Sequence, residues 1–266
     1  MFKTRLLSGI ILVILAFTTI FLGGDVLFVT LLAISLIGMT ELYKAVKIEK
    51  ELLGISGYFA AIVYYFGVVR SGRMELFALF VIAALILILA VYVFAFPKYV
   101  AEQTMTAFFG IFYVAVMLSY IYQTRLLKDG LFLVGLVFLC SWGCDTCAYC
   151  VGVLIGKHKM APKLSPKKSI EGAVGGLLGA ALLGALYALA INKWGGAEAA
   201  PWEYALICFV GGMISMVGDL AASAIKRNHD IKDYGKLIPG HGGILDRFDS
   251  VIITAPIIYY LALALM

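Results

Sequence analysis

Two polar stretches of this sequence hold residues suited to phosphate. The first, Gly156–Gly172, packs five lysines, two prolines and two serines into seventeen residues. Lysine is a strongly hydrated point charge that suits phosphate, and serine hydroxyls and backbone N–H groups add hydrogen bonds to its oxygens. Lys157, Lys167, Lys168 and Ser169 are the candidates in this stretch. Taken alone, such a cluster equally fits a loop that grips anionic lipid headgroups. The second stretch, Ser223–Asp249, contains Pro239-Gly-His-Gly-Gly243. Glycines at 240, 242 and 243 let backbone amides approach a ligand closely, and consecutive N–H groups in such a turn form an anion-binding concavity. Asp246 and Asp249 follow at i and i+3, a spacing that sets two carboxylates on one helical face. Carboxylates beside a phosphate-binding turn suggest a divalent cation, since Mg²⁺ takes one or two carboxylates plus substrate phosphates.

Two further carboxylates, Asp145 and Asp219, fall well inside apolar segments. A charge there costs about 2.5–3.5 kcal/mol even on the lenient insertion scale, and it normally marks a polar cavity or pathway. Asp145, Tyr149, Gly152 and Gly156 share one helical stripe, as do Asp219, Ser223 and Lys226. These faces are expected to turn from lipid toward a common cavity. At 1.5 Å per residue, Asp219 lies roughly 10 Å below Lys226, deep enough to admit a lipid phosphate while its acyl chains stay in the bilayer. The bland alternative is polar glue between helices.

The elements that must position these groups are membrane helices. Of 266 residues, 63% are apolar and 14% charged, and the mean hydropathy is +1.00. A soluble domain has roughly 45–50% apolar and about 25% charged residues. The surplus cannot be hidden inside one globule of this size, so lipid must solvate it. A helix needs about 20 apolar residues to cross the hydrocarbon. Nine stretches qualify or nearly so: 6–22, 26–43, 53–69, 75–96, 104–123, 130–155, 172–191, 203–225 and 248–265. The second is weakened by Glu41 and Lys44 near its end, and the Gly- and Tyr-rich third could be partly re-entrant. The first resembles a signal peptide but is longer than the usual ~7–15-residue apolar core and lacks a small-x-small cleavage site, so it reads as an uncleaved span.

The fold class expected is therefore an all-α polytopic integral membrane protein with about nine spans and a cytoplasmic N-terminus. In that arrangement sixteen lysines and arginines face the cytoplasm, and Arg70, Arg73, Arg125, Lys128 and Lys193 face the other side. Cytoplasmic loops keep positive charge, which favours this orientation. Residues 1–128 supply about five spans. Residues 129–266 form a catalytic region with two cytoplasmic loops, 156–172 and 226–247. The net charge of +5 comes from residues between apolar spans, so topology explains it better than nucleic-acid binding.

Gly172, Gly175, Gly176, Gly179 and Gly184 let helices approach closely, either within the chain or across a homodimer face. Four of the five cysteines (Cys140, Cys144, Cys147 and Cys150) lie in one apolar stretch. Metal or redox chemistry competes there with the reading that they are small apolar packers, and packing is preferred because the span has no histidine.

The run Ser223-x-x-Lys226-Arg227-x4-Lys232-Asp233-x5-Pro239-x-His241-Gly242-Gly243-x2-Asp246-Arg247-x-Asp249 resembles the signature of the phosphatidate cytidylyltransferases, or CDP-diacylglycerol synthases. Asp145-Thr-x-Ala-Tyr149, Gly156-Lys157 and Ser165-Pro-Lys-Lys-Ser169-x-Glu171-Gly172 look like a second block of that family. The resemblance covers roughly Asp145 to Ser250. It implies a Mg²⁺-dependent reaction of CTP with phosphatidic acid, giving CDP-diacylglycerol and pyrophosphate; the compact chain suggests the bacterial cell (inner) membrane, and the lysine and arginine distribution a site facing the cytoplasm. On this reading Asp219, Asp246 and Asp249 hold Mg²⁺, and a second cation has room beside it. Lys167, Lys168, Ser169, Lys226 and Arg227 bind phosphates, and the turn from Gly240 to Gly243 approaches the nucleotide. His241 either donates to a phosphate or orders the turn, and Asp145 either completes the metal shell or orients Lys157. Ser223, Lys232, Asp233 and Arg247 come with the signature as substrate-binding positions. Rival readings are cytidylyl transfer to another lipid phosphate, an ion-coupled transporter, and a headgroup-binding scaffold. A transporter is disfavoured because the charges sit in long loops and no half is repeated. A scaffold leaves the carboxylates unexplained.

Overall fold

A computed structural model describes residues 2–240 and 242–265, residues 2–7 by backbone alone. Its helices in chain order are α1 (Phe2–Leu22), α2 (Gly24–Ala45), α3 (Leu52–Arg70), α4 (Met74–Phe94), α5 (Ala101–Arg125), α6 (Gly130–Ile155), α7 (Ile170–Gly195), α8 (Pro201–Asn228) and α9 (Leu245–Leu265). A short antiparallel hairpin, β1 (Lys159–Ala161) and β2 (Ser165–Ser169), joins α6 to α7. The molecule is an all-α polytopic membrane protein. Helices α2 to α9 are each long and apolar enough to span a bilayer, and α1 adds a shorter apolar stretch, Ser8–Leu22, among the described residues.

The third stretch is not re-entrant. Leu52–Arg70 is one continuous helix of 19 residues, its last turn wound as a π-helix over Tyr65–Arg70. Its glycines serve packing instead of a chain reversal. A Cβ at Gly57 would lie 2.3 Å from Tyr43 Oη, and one at Gly110 of α5 would lie 2.6 Å from the same ring. Tyr43 fills this notch fully buried and donates to the Ala107 carbonyl at 2.6 Å.

Two compact units share the chain. One comprises residues up to Tyr122 together with His229–Arg247; the other comprises Gln123–Asn228 and the chain from Phe248 onward. The second polar loop thus belongs with the N-terminal helices. In the first unit, buried hydrogen bonds between Ser35 and Tyr65 (2.8 Å) and between Tyr64 and Ser119 (3.0 Å) tie helices α2, α3 and α5. In the second unit, α7 packs against α6 and α8 through small residues. Cβ atoms added at Gly175, Gly176 and Gly179 would collide with Val151, Ala148 and Cys147, and one at Gly184 would meet the Tyr204 carbonyl at 2.6 Å. The glycine series is thus used inside this unit. Cys140, Cys144 and Cys208 are buried in the same layer, Cys140 against Gly211 and Cys208 against Gly184, so these thiols fill glycine notches.

Candidate active-site residues

In the unit that carries His229–Arg247, the chain leaves α8 and returns to the membrane through an ordered loop. Ile238 donates to the Gly242 carbonyl at 2.8 Å, so the two residues bridge. Gly240 and Gly242 have φ of 79° and 85°, a left-handed conformation that glycine enters at no steric cost. Asp246 Oδ2 accepts the N–H groups of Tyr234 (2.8 Å) and Gly243 (2.9 Å). One carboxylate oxygen therefore fixes both ends of the loop segment that precedes α9. Lys232, Asp233, Lys236, Gly240, Gly242 and Arg247 line an open pocket of about 660 Å³ here. Three cations against one carboxylate give it a positive lining that suits a polyanion. His241 lies outside the described residues.

A carboxyl group absent from the expected set organises the same loop. Glu41, near the end of α2, is buried at 4% exposure. Its Oε1 accepts from Ile244 N–H at 3.1 Å and its Oε2 from Leu245 N–H at 2.8 Å. These donors stand at the start of α9, Ile244 just before it and Leu245 its first residue, where N–H groups lack intrahelical partners and a negative group is favoured. In the sequence Glu41 stands only as a charge that weakens an apolar stretch, and nothing there names its partners. A carboxylate inside a span costs energy, so it calls for a partner.

In the other unit, β2 carries Lys168 to Asp219 on α8, and the two form an ion pair with both side chains 25% exposed. Gly218 lets α9 approach α8 next to this pair: a Cβ there would lie 3.1 Å from the Asp249 carbonyl oxygen. Asp249 is buried, its Oδ1 accepting its neighbour Ser250's N–H at 2.8 Å, and the charges of Asp219, Lys226 and Asp145 act on it. Three carboxylates and two lysines, carried by α6, β2, α8 and α9, thus share one neighbourhood. Lys226 and Arg227 occupy the last turn of α8, where cations complement the helix dipole. Ser223 is half-buried one turn earlier on that helix.

The Gly156–Gly172 stretch is a hairpin, not an open loop. Glu171 accepts from the N–H groups of Lys157 (3.1 Å) and His158 (3.2 Å) and pairs with the His158 ring. Lys157 and Lys167 stand exposed on it. Ser169 does not face outward as expected of a phosphate ligand. It is buried as the N-cap of α7, its Oγ accepting from Gly172 N–H at 3.1 Å. The stripe through Asp145 also departs from expectation: Gly152 and Gly156 abut Ser169, but Tyr149 is 74% exposed. Among the described residues, no three His, Cys, Asp or Glu side chains are grouped to hold a metal ion by themselves.

The sequence model of the Cytidylyltransferase family matches residues 3–265. The chain is 31% identical to the phosphatidate cytidylyltransferase of Staphylococcus epidermidis over 260 residues, covering 96% of this chain and 97% of that protein. The enzyme of the same name from Staphylococcus saprophyticus is also 31% identical, over 96% and 97% of the two chains. That of Bacillus subtilis is 29% identical over 271 residues, 97% of each.

Proposed function

The chain belongs to the cytidylyltransferase family, and we propose that it transfers the cytidylyl group of CTP to phosphatidic acid, releasing pyrophosphate and leaving CDP-diacylglycerol in the bilayer. The observation that carries this reading is that a chain matched along its length by that family holds a glycine-lined cationic pocket in one unit and a carboxylate–lysine cluster in the other. In the reaction, a phosphatidate phosphate oxygen attacks the α-phosphorus of CTP. A new P–O bond forms as the bond from the α-phosphorus to the bridging oxygen breaks, and the electron pair leaves on pyrophosphate. The nucleophile is already an anion and needs no strong base. The difficulty is to hold two polyanions together, so positioning and charge stabilisation carry such catalysis.

Lys232, Lys236 and Arg247, with the amides of the Gly240–Gly243 turn, suit the triphosphate. Lys168 and Lys226 suit the phosphates that react, and Arg227, Lys157 and Lys167 add positive charge on exposed positions. The donor set of Asp219 and Asp249, with Asp145 in the same neighbourhood, fits a hard cation such as Mg²⁺, because substrate phosphates complete its shell where the protein offers few ligands. When bound, Mg²⁺ would neutralise charge on the phosphates. Asp246, expected as a further ligand, has Oδ2 engaged in bracing the turn, and this bracing is its first role in the proposal. The active face is assigned to the cytoplasmic side of the cell membrane, on the lysine and arginine distribution.

The acceptor is tested by offering purified enzyme CTP with phosphatidic acid, diacylglycerol, or another lipid phosphate. Liponucleotide from phosphatidic acid at least tenfold faster than from the others supports the proposal. Equal or faster turnover of another lipid phosphate would move the assignment to that acceptor.

A further inference from the structure

We infer that Glu41 is a positioning residue for the nucleotide pocket, an inference that rests on the cytidylyl-transfer reading. Its carboxylate grips α9 at the point where the turn ends, through Ile244 and Leu245 N–H. The slot it occupies exists only because two loop residues lack side chains. A Cβ at Gly235 would lie 2.2 Å from Glu41 Oε1, and one at Gly243 would lie 2.4 Å from both Glu41 oxygens. Gly235 itself lines the pocket, as do Gly240 and Gly242. Asp246 meanwhile takes the N–H groups of Tyr234 and Gly243. Two buried carboxylates from distant parts of the sequence therefore satisfy four backbone donors around one loop, and Glu41 is the one supplied by a separate helix.

The consequence is selective. Glu41 is built into the pocket's frame, whereas the Lys168–Asp219 pair stands in the other compact unit. Glutamine keeps the shape of glutamate but presents an NH₂ where one oxygen accepted, so one backbone donor loses its partner. Loosening this frame weakens the nucleotide's hold and leaves that of the lipid phosphate unchanged.

The test compares full-length wild type, Glu41→Gln and Gly243→Ala in detergent, titrating CTP and phosphatidic acid separately and measuring CTP binding directly. We expect both variants to raise KM and Kd for CTP at least tenfold, with KM for phosphatidic acid within twofold of wild type. Unchanged CTP constants would overturn the inference. So would constants for both substrates rising together, or a loss of activity that only tracks the loss of folded protein in both variants. A wild type that binds CTP yet forms no liponucleotide would defeat the cytidylyl-transfer reading alone, while the comparison of CTP binding still decides the role of Glu41.

Discussion

Asp219 pairs with Lys168 and its charge acts on Asp249, so its charge matters more than its shape. Asp219→Asn keeps the volume, removes the partner of Lys168, and is expected to lower kcat at least 100-fold with the protein still folded. Steady-state assays alongside thermal unfolding check this. Asp246 separates two roles. Its Oδ2 accepts two backbone N–H groups, which an asparagine carbonyl can also accept, so Asp246→Asn preserves the turn while removing the charge. We expect severe loss of turnover in Asp246→Asn and a further loss of CTP binding in Asp246→Ala. Normal turnover by Asp246→Asn at saturating Mg²⁺ would confine this residue to bracing. At this scale the sequence was informative where a residue is expensive: Asp145 and Asp219 stand out because a carboxylate inside a span must be repaid by partners. Glu41 was not recognised because its partners, backbone groups of Ile244 and Leu245, lie about two hundred positions away and leave no side-chain pattern.

Secondary-structure elements explain why some expected ligands do other work. The lysine-rich stretch is expected from sequence as a cytoplasmic loop that presents its lysines and serines to phosphate. Glu171 and Ser169 instead close it as a hairpin and cap α7. That junction is tight. A Cβ at Gly172 would lie 2.8 Å from the Ala148 carbonyl and from Ser169 Oγ. Gly172→Ala is expected to destabilise the protein by about 1–3 kcal/mol, the usual range for overpacking. Ser169→Ala is expected to cost about 1 kcal/mol through the lost cap. Chemical unfolding in mild detergent, followed by circular dichroism, measures both. An unaltered midpoint for Gly172→Ala would contradict the packing described. The glycine spacing announced close helix approach but not the partner, because the same small-residue face fits a neighbour in the chain or in a second copy.

For the whole molecule, hydropathy alone was enough to reveal a polytopic helical protein, since lipid admits few other structures. Grouping of the polar loop with the N-terminal helices was not legible, because it depends on contacts between distant segments. The cytoplasmic placement proposed for the hairpin predicts that Lys163→Cys, in a Cys150→Ser background, reacts with an impermeant maleimide in inside-out vesicles and not in intact cells. The reverse pattern would invert the topology. The most direct measurement incubates the purified protein with radiolabelled CTP and dioleoyl phosphatidic acid, with Mg²⁺ or with EDTA. We expect labelled CDP-diacylglycerol with Mg²⁺ and none with EDTA. No liponucleotide in either condition, from protein shown to be folded, would contradict cytidylyl transfer to phosphatidic acid, and equal formation in both would contradict the role of the metal.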